Sequence, residues 1–331
     1  MASTVQSQSP EASRGVVATL RDEKRKSESL TRTALRRLSR DYLTLLAFAV
    51  LIILAVLSLM APLFEQALNV SYTEPLAARK FLPVGATYMN PATEDIGNHI
   101  AGTDHLGRDV FTRLLYGGRV SLGIGLSAAI FSTLIGVSIG LLAGYYQGTR
   151  LGFIDDGILW FTTTLNSIPT LMLLILISSV LSSRMSGASS SIFILIGVLT
   201  LVSWSGTMRL IRGETLSQRE NEYVVAARAM GASPLRIMFA HILPNTLSVL
   251  VTALAIEIGT LILTESALSF LGLGVRPPEP SWGNMLTGAQ SYFRQGAHLS
   301  IIPGLMIVAT VLSLYLIGDG LRDALDPRSI K

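Results

Sequence analysis

The sequence predicts an all-α polytopic membrane protein with six membrane-spanning helices. Three observations carry this. Half of the 331 residues are hydrophobic, and the mean hydropathy is +0.51. Charged residues make up only 15% of the chain, against roughly 25% in an average soluble protein. The apolar residues are gathered into six long runs. Each approaches the ~20 residues that cross a ~30 Å hydrocarbon core at about 1.5 Å per residue. A soluble protein with six buried helices of this length would need a polar shell that the remaining residues cannot supply.

The runs are Tyr42–Leu63, Val120–Ala143, Ile158–Leu181, Ser191–Leu210, Leu243–Leu263 and Leu299–Ile317. The first, third and fourth carry no charged residue except Arg209 at the end of the fourth. The first is too long for the apolar region of a signal peptide and follows a polar stretch of about 40 residues, so it is expected to remain as an anchor. High apolar content with a net charge of only +4 excludes disorder for most of the chain. With no cysteine, disulfides, thiol catalysis and Cys-ligated zinc are excluded. The basic residues do not form a nucleic-acid footprint, because they are concentrated in the tail and in the loops between the runs.

Their placement predicts orientation instead. Nine of the 26 Lys and Arg residues precede Asp41. With that tail inside, 18 fall inside and 7 outside, with Arg119 on a boundary. Both termini are then expected to be cytoplasmic. The expected division is a basic tail over 1–41, a first span over 42–64, an outer loop with an interfacial helix over 65–116, a core of five spans over 117–320, and a cytoplasmic tail over 321–331. Leu30–Arg40 is a candidate basic helix on the anionic inner leaflet. Val110–Tyr116, with an apolar face at helical spacing, reads as an amphipathic helix leading into the second span, and Asp104 is a candidate cap for it. His99 and His105 lack a third ligand, so no metal site is expected.

Three further patterns bear on packing and transport. Ala128, Ser132, Gly136, Gly140 and Gly144 are four apart and line one face of the second span. In lipid, close backbone approach is what holds helices together, so this row is a helix-packing face. The third span holds Thr162, Thr163, Thr164, Asn166, Ser167 and Pro169. Pro169 kinks the helix. The polar side chains either line a translocation path, with Thr163, Asn166 and Ser167 as candidates, or satisfy backbone freed at the kink. Glu257, in the fifth span, needs a partner or a wet cavity and is a fourth path candidate. A proton relay would want several such carboxylates. Glu265 stands near the outer end of the same span.

The loop between the fourth and fifth spans reads as helix, turn, helix. Asn221–Met230 favours a short helix, Gly231 ends it, Ser233 caps the next one and Pro234 sits at its first position. Pro244 marks entry into the fifth span. A short exposed helix carrying Ala226, Ala227 and Ala229 brings its backbone close to a partner, which suits insertion into a groove.

Here the sequence resembles the inner-membrane permease subunits of ABC importers. Their shared loop runs Glu-Ala-Ala, three residues, Gly, nine residues, Ile, one residue, Leu-Pro. Ala226-Ala227, Gly231 and Leu243-Pro244 keep that spacing, with Val225 at the Glu position and His241 at the Ile position. The segments from Gly102 to Phe111, from Leu268 to Gly283 and from Gly318 to Arg328 are similar to the C-type permeases of the dipeptide, oligopeptide and nickel group. The resemblance spans roughly 40–331. It implies the type I importer permease architecture, a second homologous permease, two ATPase subunits that hold ATP and Mg, and an extracytoplasmic binding protein. It also implies a bacterial inner-membrane location and a peptide cargo, with nickel or another small solute as the alternative. Glu222, Tyr223, Ala226, Ala227, Arg228 and Gly231 would form the ATPase contact within a coupling loop over 213–242, supported by Ile237 and Pro244. The sequence agrees on one point of its own: it has no Gly-x-x-x-x-Gly-Lys-Ser/Thr phosphate loop, so no ATP or other cofactor is expected on this chain. It also lacks a nucleophile–base–orienter set, which argues against an intramembrane enzyme. A stand-alone secondary transporter would show inverted repeats and more coupling carboxylates than Glu257. An exporter of the same superfamily would normally carry a fused ATPase domain.

Overall fold

A computed structural model of the chain describes residues 35–89, 96–184 and 187–325. Most of the basic tail, and Arg328 and Lys331, lie outside the described residues. So does the first half of the candidate helix at Leu30–Arg40, of which residues 35–38 are helical.

Helix α1 (Tyr42–Leu59) starts where the Asp41 carboxylate accepts the Leu43 amide and the Thr44 hydroxyl. A second short helix, α2 (Ala61–Leu68), follows after a break at Met60, and Asn69 closes it in the left-handed conformation. Before the next long helix stands a two-stranded antiparallel ribbon of β1 (Ala86–Met89) and β2 (Ile96–His99), with Ala86 opposite His99. Helix α3 (Val110–Tyr146) is 37 residues long, about 55 Å at 1.5 Å per residue. The bent pair α4 (Phe153–Asn166) and α5 (Thr170–Arg184) comes next, then α6 (Ala188–Arg219) and the short α7 (Glu222–Ala229). The three-residue α8 (Pro234–Arg236) runs through a wide π turn at Ile237–Ile242 into α9 (Leu243–Phe270). A short α10 (Trp282–Met285) and the long α11 (His298–Leu325) complete the order. Among the described residues, five helices are long and apolar enough to cross a membrane, and six if the bent pair counts as one span.

Three boundaries differ from the sequence expectation. The separate amphipathic helix at Val110–Tyr116 does not exist as such: it is the first two turns of α3. Its cap is Asp109, whose carboxylate accepts from the Thr112 amide at 2.7 Å. Asp104 closes the preceding turn instead, accepting the amides of Leu106 and Arg108 at 2.8 and 3.0 Å. The third run, expected as one kinked span, is two helices. It bends by 86° between α4 and α5, because Pro169 cannot donate and pushes Ile168 out of the helical region.

Among the described residues, helices α3 and α6 share the most extensive contact. The small-residue row explains how. A Cβ on Gly136 would lie 2.8 Å from both Thr207 Cβ and the Trp204 carbonyl; one on Gly140 would lie 2.6 Å from the Met208 carbonyl; one on Gly144 would lie 2.7 Å from Thr215 Cβ. Ala128 joins the adjoining apolar cluster with Leu195, Val198 and Leu199. Helix α1 packs on α11 and α3; Ala47 and Ile317 share a buried apolar cluster with Ala255 of α9, and a Cβ on Gly320 would strike the Thr44 hydroxyl. The outward residues of α1, among them Leu46, Ile52 and Leu59, stay exposed, as a lipid-facing helix requires.

The two ends of α3 mark the two ends of the bundle. At one end Val110 and Leu114 pack with the fully buried Trp282, whose indole N–H donates to the Leu114 carbonyl at 2.9 Å. Here Asp104 binds Arg108 at 2.7 Å and lies 3.8 Å from Arg113. Burial alone would raise the Asp104 carboxyl, but the Arg108 hydrogen bonds and charge, with the Arg113 charge, outweigh it and hold it below its ordinary value of 3.8. At the other end, Val137, Leu141 and Tyr145 of α3 meet Ile211, Val224 and the π turn.

Candidate functional site

The short helix α7 is built for docking on one side and exposure on the other. Val224 and Ala227 are three apart, so they share a face, and both are buried. They seat α7 on the ends of α3 and α6 and on Ile237, Met238 and Ile242 of the π turn. The opposite side, with Glu222, Tyr223, Val225, Ala226 and Arg228, is exposed. Glu222 lies in the first turn and Arg228 in the last, the placements the helix dipole favours.

The end of α7 is fixed by backbone. Gly231 has φ +81°. The Gly231 amide bonds the Arg228 carbonyl at 3.0 Å, and the Ala232 amide reaches back to the Ala227 carbonyl at 3.1 Å, which together make a Schellman cap. The Ser233 hydroxyl then accepts the Arg236 amide and starts the next helix. The π turn has a local cause. Pro244 has no N–H and its ring would clash with the carbonyl one turn earlier, so the chain widens. The Asn245 side chain donates to the His241 carbonyl at 2.7 Å.

Of the eight residues expected to touch a partner or support the contact, the structure turns two inward. Ala227 and Ile237 are buried, so they hold the helix in place and do not form its outer surface. Tyr223 leans back, its hydroxyl donating to Gln218 Oε1 at 2.7 Å. The Arg228 guanidinium lies 5.8 Å from the centre of the Tyr145 ring. Pro244 is exposed. Sequence reasoning missed the exposed apolar residues beside them: Val225, Met230, Leu235 and Phe239, with Met230 82% exposed. The sequence carried no clear signal for them, because adjacent apolar residues such as Val224 and Val225 lie about 100° apart on a helix and can share one apolar face.

The path candidates do not converge. Thr163 Oγ1 accepts from Arg209 at 3.5 Å, and Asn166 Oδ1 accepts from Ser205 at 3.4 Å. Ser167 donates to the Thr163 carbonyl at 2.9 Å, which is the backbone-satisfying alternative. Glu257 instead accepts from Ser132 Oγ and Thr207 Oγ1, each at 2.7 Å. On α6, Ser205 and Arg209 share a face, while Thr207 is two residues from each and lies on the other side. The α4 group and Glu257 therefore sit on opposite sides of α6. Glu265, fully buried, accepts from Ser121 at 2.9 Å and Ser269 at 2.6 Å. It knits α3 and α9 and does not open to a path. Among the described residues no cluster of three or more His, Asp or Glu is placed to hold a metal.

The glutathione transport system permease protein of Pectobacterium atrosepticum is 40% identical over 230 residues, 70% of this chain and 73% of that protein. The dipeptide transport system permease protein of Alkalihalophilus pseudofirmus is 34% identical over 297 residues, 90% of each. The oligopeptide transport system permease protein of Bacillus subtilis is 33% identical over 304 residues, 92% of each. The family model described as "Binding-protein-dependent transport system inner membrane component" matches residues 136–331, which hold the glycine face of α3, the α7 lever and the Glu257 crossing. On these grounds the chain belongs to the binding-protein-dependent transport system inner-membrane components, the multi-pass permease subunits of ABC transporters.

Proposed function

We propose that this chain forms one half of the translocation pathway of a peptide importer. It pairs with a second homologous permease, receives cargo from an extracytoplasmic binding protein, and is driven by ATP and Mg held on two separate ATPase subunits. Both termini lie in the cytoplasm. The observation that carries the reading is α7: a short helix seated rigidly on the ends of α3 and α6, capped at Gly231, with one face left bare. Motion imposed on that face passes directly into the two most closely packed helices of the bundle. The peptide cargo is supported by the relatives, whose names specify glutathione, dipeptides and oligopeptides.

On this reading Glu222, Tyr223, Ala226 and Arg228 contact the ATPase, together with Val225 and Met230. Ala227, Gly231, Ile237 and Pro244 set the position of the lever. The four residues Ser132, Gly136, Gly140 and Gly144 hold α3 against its neighbours while the bundle moves.

The test is co-purification and uptake by the assembled transporter. Gly231→Val strains a position at φ +81° and is expected to abolish uptake and weaken ATPase capture. Val225→Asp is expected to weaken capture without unfolding the bundle. Undiminished capture of the ATPases by both variants sinks the assignment of the lever. Peptide uptake by the chain alone in liposomes, without ATPases, would favour a secondary transporter.

A further inference from the structure

At the end of the bundle that carries the 61–109 loop, a cavity of about 490 Å³ opens between α3, α6 and the loop before α10. Its floor is apolar, with Val120, Ile124, Ile192 and Ile196. Its wall is aromatic and rigid. The rings of Tyr72 and Tyr116 stack with centres 3.9 Å apart and planes at 22°. Glu65 fixes both, accepting the Tyr116 hydroxyl at 2.7 Å and the Tyr72 amide at 3.3 Å. Arg113 holds the Tyr72 carbonyl at 3.0 Å.

Two opposite charges complete the lining, Arg119 and Glu279. The Arg119 guanidinium rests on the Tyr116 ring, 5.6 Å from its centre. Among the described residues neither Arg119 nor Glu279 enters an ion pair. Glu65 and Arg113, by contrast, are spent on building the wall. Burial pushes the Tyr72 phenol up, as do the charges of Glu279 and Glu65, while Arg119 and Arg113 pull it down. That ring lines the cavity together with Arg119 and Glu279, and its backbone is held by Glu65 and Arg113. Arg119 is exposed and Glu279 half-buried at the rim of the apolar floor, so both are open to the charges of a ligand that enters the cavity. A ligand of one sign would satisfy one group and repel the other, whereas a zwitterion satisfies both.

We propose that this cavity is a recognition subsite for the charged ends of a short peptide, Arg119 taking the terminal carboxylate and Glu279 the terminal ammonium. The inference rests on the peptide reading above. The apolar floor gives the side chains between the two ends a surface without hydrogen-bond demands, which suits a site that accepts varied sequences.

The test is equilibrium dialysis of radiolabelled L-alanyl-L-alanine against the detergent-solubilised complex of both permeases and the ATPases, without binding protein. Saturable binding is expected. N-acetylation and C-amidation of the probe should each weaken it about tenfold, the cost of one well-placed charge contact of about 1.4 kcal/mol. Arg119→Gln should weaken the parent probe about tenfold and erase the amidation penalty. Glu279→Gln should do the same for the acetylation penalty, and Arg119→Lys should restore most of the affinity. Parent-like binding by both Gln variants, or penalties that persist in them, overturns the subsite. Should a variant fail to assemble, the wild-type complex decides alone: equal affinity for all three probes overturns it. No saturable binding in a preparation that still imports dialanine with its binding protein defeats the subsite and leaves the peptide reading standing. A preparation that, once reconstituted, imports neither dialanine nor glutathione nor longer peptides defeats the peptide reading, and the subsite with it.

Discussion

Glu257 shows how one residue type can be read in two ways, and how contacts separate them. As a bare carboxylate in a span it suggests a proton path. With Ser132 and Thr207 each 2.7 Å away, it is a crosspiece joining α3, α6 and α9. Glu257→Gln should keep stability and uptake, because rotatable hydroxyls serve an amide as well as a carboxylate. Glu257→Leu leaves the Thr207 hydroxyl without its acceptor, while Ser132 keeps the Ala129 carbonyl at 3.1 Å, and should cost about 1–2 kcal/mol, seen as a lower melting temperature in detergent. Loss of uptake in the Gln variant at unchanged stability would return the carboxylate to a transport role. Gly136→Leu drives a side chain into Thr207 and the Trp204 backbone and should cost about 1–3 kcal/mol by overpacking, again read from thermal unfolding. Asp104 gives a pH signature. Its folded value is depressed, so its stabilisation is fully present above the ordinary 3.8 and is lost as pH falls through the lower folded value. Thermal stability should therefore fall with acid below about pH 4, where carboxylates protonate, and Asp104→Asn should flatten that component.

At the scale of elements, the spans were legible because hydropathy reports burial in lipid, whatever the neighbours are. Their ends were not, because polar residues there were read without their partners. Arg113 belongs to the segment expected to form an interfacial amphipathic helix, yet it is buried on the Tyr72 carbonyl and near Asp104. Pro169 announced a break but not an 86° turn, which depends on α4 and α5 packing separately against their neighbours. The α7 helix and its glycine cap were legible from spacing alone. Which side of it faced inward needed the fold. One unforeseen element contact invites a test. Asp155 of α4, 2% exposed, takes two hydrogen bonds from Arg212 of α6 at 2.5 and 2.7 Å. Asp155 is buried but Arg212 is only half-buried, so Asp155→Ala should destabilise the chain by less than the ~3–5 kcal/mol of a fully buried pair. Restoration of assembly by the exchange Asp155→Arg with Arg212→Asp would establish the pair as the link between the bent span and the helix that feeds α7.

For the whole molecule, the distribution of charge makes a prediction about sidedness. The chain has no cysteine, so single introduced thiols report without background. Ala78→Cys, in the loop before α3, should react with a membrane-impermeant maleimide on intact spheroplasts. Arg150→Cys, between α3 and α4, should react only after permeabilisation. The reverse pattern would invert the orientation and detach α7 from any cytoplasmic partner.

The six-residue π turn at Ile237–Ile242 separates two parts that would otherwise turn as one rod. Upstream lies the lever, downstream the span that carries Glu257. Ile237, Met238 and Ile242 of the turn are buried against Val224 of α7, so the turn is packed to the lever and carries its orientation into α9. Its extra width sets the angular phase between the two. Deleting Ala240 should restore regular winding and rotate the rest of α9, Glu257 included, relative to α7. On the proposed reading uptake should fail even where ATP is still turned over, and uptake that survives the deletion would show that this phase does not matter.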